Sequence, residues 1–234
     1  MANTSKQSGI SKRSLILGVS MLAGLVASQR AMAEEGEQQQ VVDRARLTIE
    51  DIRKDKAFGN ARDLATRARA VLIIPRLYKG GFFIGGEGGT GVLLTHGTAG
   101  WSQPAFYYLG SASFGLQIGL EQAEMVMFIM TQNALDALYA DQFKIGANAG
   151  ITVVTLGSGV EGATTSNAGA DIVTWASASG AYAGISLNGS VIKPDNEDNK
   201  AYYGSEATAK MITSGGNLTN AGTAGLRQSL ATLR

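Results

Sequence analysis

The sequence predicts an α+β fold: N-terminal helices, then a curved, glycine-rich antiparallel sheet or barrel-like body, with short inserted and C-terminal helices. Three observations predict it. Val42, Ala45, Ile49 and Ile52 recur at three- and four-residue intervals, the spacing of one helix face. From Val71 onward, short β-branched and aromatic runs dominate, as in buried strands. Glycine is abundant, 31 of 234 residues, seven of them between Gly80 and Gly91; within strands, glycines allow tight curvature and close backbone approach.

The elements follow in order. Lys12-Arg13, the apolar run Leu15–Val26 and Ala31-Met32-Ala33 have the layout of a secretory signal peptide over residues 1–33, with cleavage after Ala33. Ser11-Lys12-Arg13-Ser14-Leu15-Ile16 also approaches a twin-arginine signal. Residues 34–40 read as a flexible polar tail and 41–234 as a single domain. The first helix ends at Phe58-Gly59, and Asn60 caps a second with the apolar face Ala61, Leu64, Ala65 and Ala68.

Val71–Ile74 reads as a buried strand ended by Pro75. Phe82–Ile84, Val92–Leu94 and Phe106–Tyr108 look similar, while Phe114, Leu116 and Ile118 alternate with small or polar residues. Met125–Met130 is a fully apolar run of strand length. Thr131 or Asn133 then caps a helix carrying Ala134, Leu135, Leu138 and Tyr139. Strands resume at Ile151–Thr155 and over Asp171–Ser190; Lys193–Lys200 reads as a polar loop, and helical patterning closes the chain at Ser205–Thr213 and Ala224–Leu233.

Gly86, Gly88 and Gly91 match the spacing of a dinucleotide-binding turn. That turn needs a helix after it to hold the pyrophosphate, and an acid about twenty residues on. A strand pattern follows instead, and no acid appears until Glu121. No Gly-Lys-Ser/Thr occurs either, so neither nucleotide nor nucleic acid is an expected partner and the glycines read as architecture. With no cysteine, one histidine (His96) and no G-x-S-x-G, nucleophilic catalysis lacks its parts. No metal-ligand spacing occurs; Asp195–Asn199 has Lys200 where a calcium loop needs glycine. The expectation is a non-enzyme without cofactor or metal. The missing cysteine also excludes disulfides and an N-terminal lipid-modified cysteine.

Charge is unevenly placed. The chain without its leader carries 16 basic and 19 acidic residues, yet residues 44–79 hold ten bases against four acids, and 80–234 six against eleven. That asymmetry points to an anionic partner at one face. Lys54, Lys56, Arg62, Arg67, Arg69, Arg76 and Lys79 are the candidate contacts. The stripe Val42, Ala45, Ile49 and Ile52 could lie on a bilayer, but it more simply packs on the protein's own core.

Several motifs occur in a specific order: Phe58-Gly59, Ala68–Pro75, Lys79-Gly-Gly81, Gly85–Gly91, Trp101-Ser102-x-Pro104, Gly115-x-Gln117-x-Gly119 and Asn199-x-x-Tyr202-Tyr203-Gly204. This succession resembles the SYLF domain family over residues 41–215, with Tyr202-Tyr203-Gly204 standing where Phe-Tyr-Gly is usual. The resemblance implies a lipid-binding module. Eukaryotic members bind phosphoinositides through basic residues and an N-terminal segment, and some bind actin; bacterial members are envelope proteins. For an exported chain it implies an anionic phospholipid or membrane surface as partner rather than actin, and a periplasmic or envelope location. An outer-membrane β-barrel is the alternative, opposed by the helical patterns and the unbroken run Met125–Met130. An unrecognised hydrolase using His96 is the third.

Overall fold

The computed structural model describes residues 36–54, 61–81, 84–114, 119–147, 151–157, 169–178, 187, 189–204 and 206–233. Helix α1 spans residues 36–54, so it begins inside the stretch expected to be a mobile tail. The reason is tertiary. Gln38 is buried and donates its side-chain amide to the Asp198 carboxylate at 2.7 Å, while Gln39 donates to the Gly222 carbonyl and accepts from the Tyr202 hydroxyl at 2.6 Å. These polar residues trade water for partners far along the chain. Below them Val42, Ala45, Ile49 and Ile52 are all at most 1% exposed. The apolar stripe of α1 is therefore consumed by the core and is not offered to a bilayer.

Helix α2 (Ala61–Arg67) leads into strand β1 (Ala70–Gly81). Pro75 does not end that strand as expected. It sits in a β-bulge, where pairing to both neighbouring strands slips by one residue between Ile73 and Tyr78 on one side and Ile74 and Leu77 on the other. A proline has no N–H for the ladder, and a bulge is where a strand can carry one. Strand β2 (Ile84–Gly97) runs through the glycine-rich stretch without a break. A Cβ at Gly89 would stand 2.2 Å from the Arg76 carbonyl oxygen, and one at Gly91 the same distance from that of Ile73. Only hydrogen fits there, so the glycines let β2 approach the bulged strand. Gly86, Gly88 and Gly91 lie inside this strand, with no helix following.

The remaining strands are β3 (Gly100–Trp101), β4 (Ala105–Phe114), β5 (Gly119–Ile129), β6 (Phe143–Lys144), β7 (Val153–Gly157), β8 (Ile172–Ala178) and β9 (Val191–Pro194). They form one curled sheet in the order β6-β9-β4-β2-β1-β5-β8-β7, with β3 paired to β2. All pairs are antiparallel except β7 with β8, which is parallel and departs from the expected all-antiparallel sheet. Helix α3 (Gln132–Leu138) starts at Thr131, whose hydroxyl accepts from the Ala134 N–H. The expected polar loop Lys193–Lys200 is instead the end of β9 and helix α4 (Asn196–Tyr203), capped by the Asp195 carboxylate accepting from the Asp198 N–H. Asp195 is an N-cap residue in sequence as in space. Helices α5 (Ala209–Thr213) and α6 (Ala224–Thr232) close the described chain.

Each face of the sheet has its own core. Val71, Ile73, Val92, Leu94, Phe106, Val126 and Phe128 pack with α1, α2, α6 and Tyr202. Leu72, Ile74, Leu93, Tyr107, Met125 and Met127 pack on the other side with α3 and α5. Central strands buried on both faces read as unbroken apolar runs, which is why Val71–Ile74 and Met125–Ile129 do not alternate. Among the described residues no helix is long and apolar enough to cross a membrane.

Candidate functional site

The alternation that fills the α1-facing core at Val92 and Phe106 continues up the same strands as Thr90, Gly88 and Gly86 on β2, and as Tyr108 and Gly110 on β4. There the side chains vanish and a cleft of about 700 Å³ opens between the first half of α1 and the sheet. Its walls are Glu37 and Arg44 from α1, Arg76 from the bulge, Tyr78 from β1, Glu87 from β2 and Tyr108 from β4.

Tyr78 and Tyr108 are exposed large side chains, at 43% and 39%. The Tyr108 side chain lies across Gly88 and Gly110: a Cβ at Gly110 would come 2.7 Å from its ring and one at Gly88 2.8 Å from its hydroxyl. The glycines thus set the ring's position, and with it the width of the cleft. Lys193, level with Tyr108 on β9, puts its ammonium 5.7 Å from the centre of that ring, a cation–π distance.

The charges around the cleft are not spent on each other. Arg76 donates to the Tyr78 hydroxyl at 3.3 Å and Glu87 accepts from the Ser111 hydroxyl at 2.8 Å. Among the described residues neither Arg44 nor Glu37 has a hydrogen bond or ion pair. Arg44, Arg76 and Glu37 therefore share one concavity without pairing, while the Glu87 side chain, alternate to Gly86 and Gly88, lies with Ser111 on the sheet's other face. Further down α1, Glu124 of β5 comes beside Thr48 and Asp51, and burial first and the Asp51 carboxylate second push its carboxyl above the usual range.

The candidate basic residues do not converge. Arg67 and Arg69 are exposed at the start of β1; Arg67 donates to the Asp63 carbonyl and Arg69 to Gln132. Arg76 lies seven residues along β1, on the order of 20 Å away at strand rise. Lys79 stands level with Glu87 on one neighbouring strand and Glu121 on the other. Lys54 is exposed at the end of α1 and pairs with Asp51 at 3.1 Å. Arg62 belongs to α2, and Lys56 falls outside the described residues. Of the four whose side chains are described, Lys54, Arg67, Arg69 and Arg76, it is Arg76 that lines the cleft. Arg44, Tyr78 and Tyr108 were missed as site residues. Arg44 was visible as one more base in the basic segment, and Tyr108 as an aromatic at alternation with glycines.

The motif residues turn out to hold the scaffold. Asn199, fully buried, accepts from the Phe106 N–H at 2.8 Å and donates to its carbonyl. The Tyr203 hydroxyl donates to the Pro104 carbonyl at 2.6 Å, and Gly204 ends α4 in the left-handed conformation at φ 67°. Ser102 accepts from the Thr95 N–H, and buried Trp101 stacks on His96 with ring centres 4.7 Å apart. No group of side chains suited to a metal ion occurs among the described residues.

A family model described as Ysc84, Las17-binding protein actin regulator, matches residues 110–233. The chain is 32% identical over 181 residues to LAS seventeen-binding protein 3 of Saccharomyces cerevisiae, covering 73% of this chain and 39% of that protein. It is 31% identical over 155 residues to Protein YSC84 of the same yeast, covering 64% and 32%. With SH3 domain-containing YSC84-like protein 1 of Homo sapiens it shares 28% over 146 residues, covering 62% and 43%. The chain thus spans about two fifths of the length of the curated relatives it matches.

Proposed function

This chain belongs to the Ysc84 family, and from that membership we propose that it is a non-catalytic module of the bacterial envelope that docks on phospholipid head groups of an anionic membrane surface. The observation that carries the reading is the cleft, where Arg44 from α1 and Arg76 from the bulge face one concavity, neither held by a carboxylate. Guanidinium groups make strong, directional hydrogen bonds to phosphate oxygens. The buried stripe of α1 argues for head-group contact rather than insertion. Exposed Arg53, Lys54, Arg67 and Arg69 contribute long-range attraction, each basic residue near an anionic surface worth about 1 kcal/mol. Absence of a recognisable nucleophile–base pair supports the non-catalytic part, and the leader supports an exported location.

Co-sedimentation with vesicles tests it. Vesicles of phosphatidylethanolamine with phosphatidylglycerol should pellet the protein, in a salt-sensitive way, well above vesicles without phosphatidylglycerol. Equal pelleting on both removes the anionic-surface reading. Arg44→Ala with Arg76→Ala should weaken binding more than Arg67→Ala with Arg69→Ala. The relatives' names favour a second reading, binding to an actin-regulating protein or to actin itself; pelleting with actin filaments in the absence of lipid would support it.

A further inference from the structure

Phosphate recognition explains only half of the cleft. Glu37 lines it together with the two arginines, and a purely anionic head group would meet a carboxylate as well as two guanidiniums. Like charges brought within a few ångströms in a half-enclosed site cost binding energy rather than adding to it. A ligand that uses the whole lining must therefore carry both signs.

Building on the head-group reading above, we infer that the cleft selects an amino-bearing phosphodiester head group, its phosphate between Arg44 and Arg76 and its ammonium toward Glu37 and the tyrosine rings. Geometry on both sides fits this. Arg44 and Arg76 reach the cleft from different elements, helix α1 and the β1 bulge, and so can approach a phosphate from two directions. Glu37 stands in the first turn of α1, exposed and unpaired among the described residues, while the side chain of Glu87, alternate to Gly86 and Gly88, turns to the sheet's other face and bonds Ser111 there. The exposed Glu37 carboxylate keeps its lone pairs free, and an ammonium satisfies them. Tyr78 and Tyr108 supply π faces, and Tyr108 already has the Lys193 ammonium at cation–π distance. Gly88 and Gly110 hold that side chain against the sheet, leaving the cleft wide enough for a head group instead of closing it as Val92 and Phe106 close the core. The source committed to is a bilayer lipid; the bilayer's negative charge gathers the protein, and the cleft then chooses among head groups.

Soluble head groups separate this from surface electrostatics. Titration calorimetry of the whole mature chain should show glycerophosphoethanolamine binding about tenfold more tightly than glycerophosphoglycerol, which has the same phosphodiester and no amine. Inorganic phosphate should bind no better than the latter. Glu37→Gln, at an exposed position, should bring the two glycerol esters within about twofold of each other with an unchanged melting curve. Arg44→Ala should weaken both. On vesicles, an equal mixture of phosphatidylethanolamine and phosphatidylglycerol should bind the protein more tightly than phosphatidylglycerol alone, although its surface charge is lower. Equal or tighter binding of glycerophosphoglycerol, no binding of either ester, or a preference untouched by Glu37→Gln overturns the inference. Stronger binding to pure phosphatidylglycerol with no effect of Glu37→Gln sinks the inference while leaving anionic docking intact. Failure to pellet on any vesicle sinks the docking reading instead, and selective binding of the soluble amine would then point to a free head group as the ligand.

Discussion

The α1-facing side of the sheet has two halves built on the same strands. Toward one end, Ile73, Val92, Leu94, Phe106 and Phe128 fill the space under α1 and are 0% exposed. Toward the other, the same alternation supplies Gly86, Gly88 and Gly110 with Tyr78 and Tyr108, and the space stays open as a cleft. Backbone pairing, strand direction and the covering helix are common to both. Side-chain volume alone decides which half is core and which is site, and the bulge at Pro75 marks the change. Stability and binding should accordingly reside in different halves.

The sharpest break would come from truncating one residue on each side. Phe128→Ala should cost about 3–5 kcal/mol in urea unfolding, whereas Tyr78→Ala, an exposed cleft residue, should stay within about 0.5 kcal/mol. Comparable losses would mean the cleft is part of the core. The glycines should divide likewise. Gly91→Ala drives a Cβ against the Ile73 carbonyl oxygen and should cost about 3 kcal/mol. Gly88→Ala meets chiefly the hydroxyl end of Tyr108, so its main effect should be a displaced ring and weaker head-group binding at nearly native stability. Asn199→Ala takes the side-chain acceptor from the Phe106 N–H and one of two donors from its carbonyl, which keeps the Asp195 N–H, a loss of about 2 kcal/mol that should leave vesicle binding unchanged once the variant is folded.

The smallest effect is that of pH. The Glu124 carboxyl is held above 4.5 by burial and then by Asp51, so the folded protein grips that proton more tightly than the unfolded chain does. Stability is greatest below the unfolded value and is lost as pH rises through the folded one; Glu124→Gln should remove that loss. Asp171 has the opposite sign. Accepting from the Thr131 hydroxyl at 2.6 Å and the Thr152 N–H at 2.9 Å, it is held below 3.8. Its contribution is present above 3.8 and lost as pH falls through the lower folded value, a loss that Asp171→Asn should abolish. Urea midpoints measured from pH 3 to 8 read both.

Much of the fold was legible because local patterns survive packing. Val42, Ala45, Ile49 and Ile52 mark the buried face of α1, Thr131 caps α3, and Met125–Ile129 forms a strand covered on both sides. The candidate site was legible only in part. Charge counting found a basic segment, but β1 carries Arg76 some seven residues away from Arg69, which precedes the strand, and sets Lys79 level with two acids. No one-dimensional tally records that separation, nor that Arg44 one helix earlier returns to meet Arg76.

By itself, the sequence determined the element types, the glycine-for-curvature economy of β2 and the family, since propensity, periodicity and motif order are local properties of a chain. Only the tertiary structure decided that the polar residues before Val41 are helix, that Pro75 is a bulge rather than a stop, and that Glu37, Arg44 and Arg76 gather over glycines without pairing. Those outcomes depend on residues distant in sequence, such as Asp198 for Gln38 or Arg44 facing the same cleft as Arg76. Such partners become neighbours only when the sheet curls and α1 is laid across it.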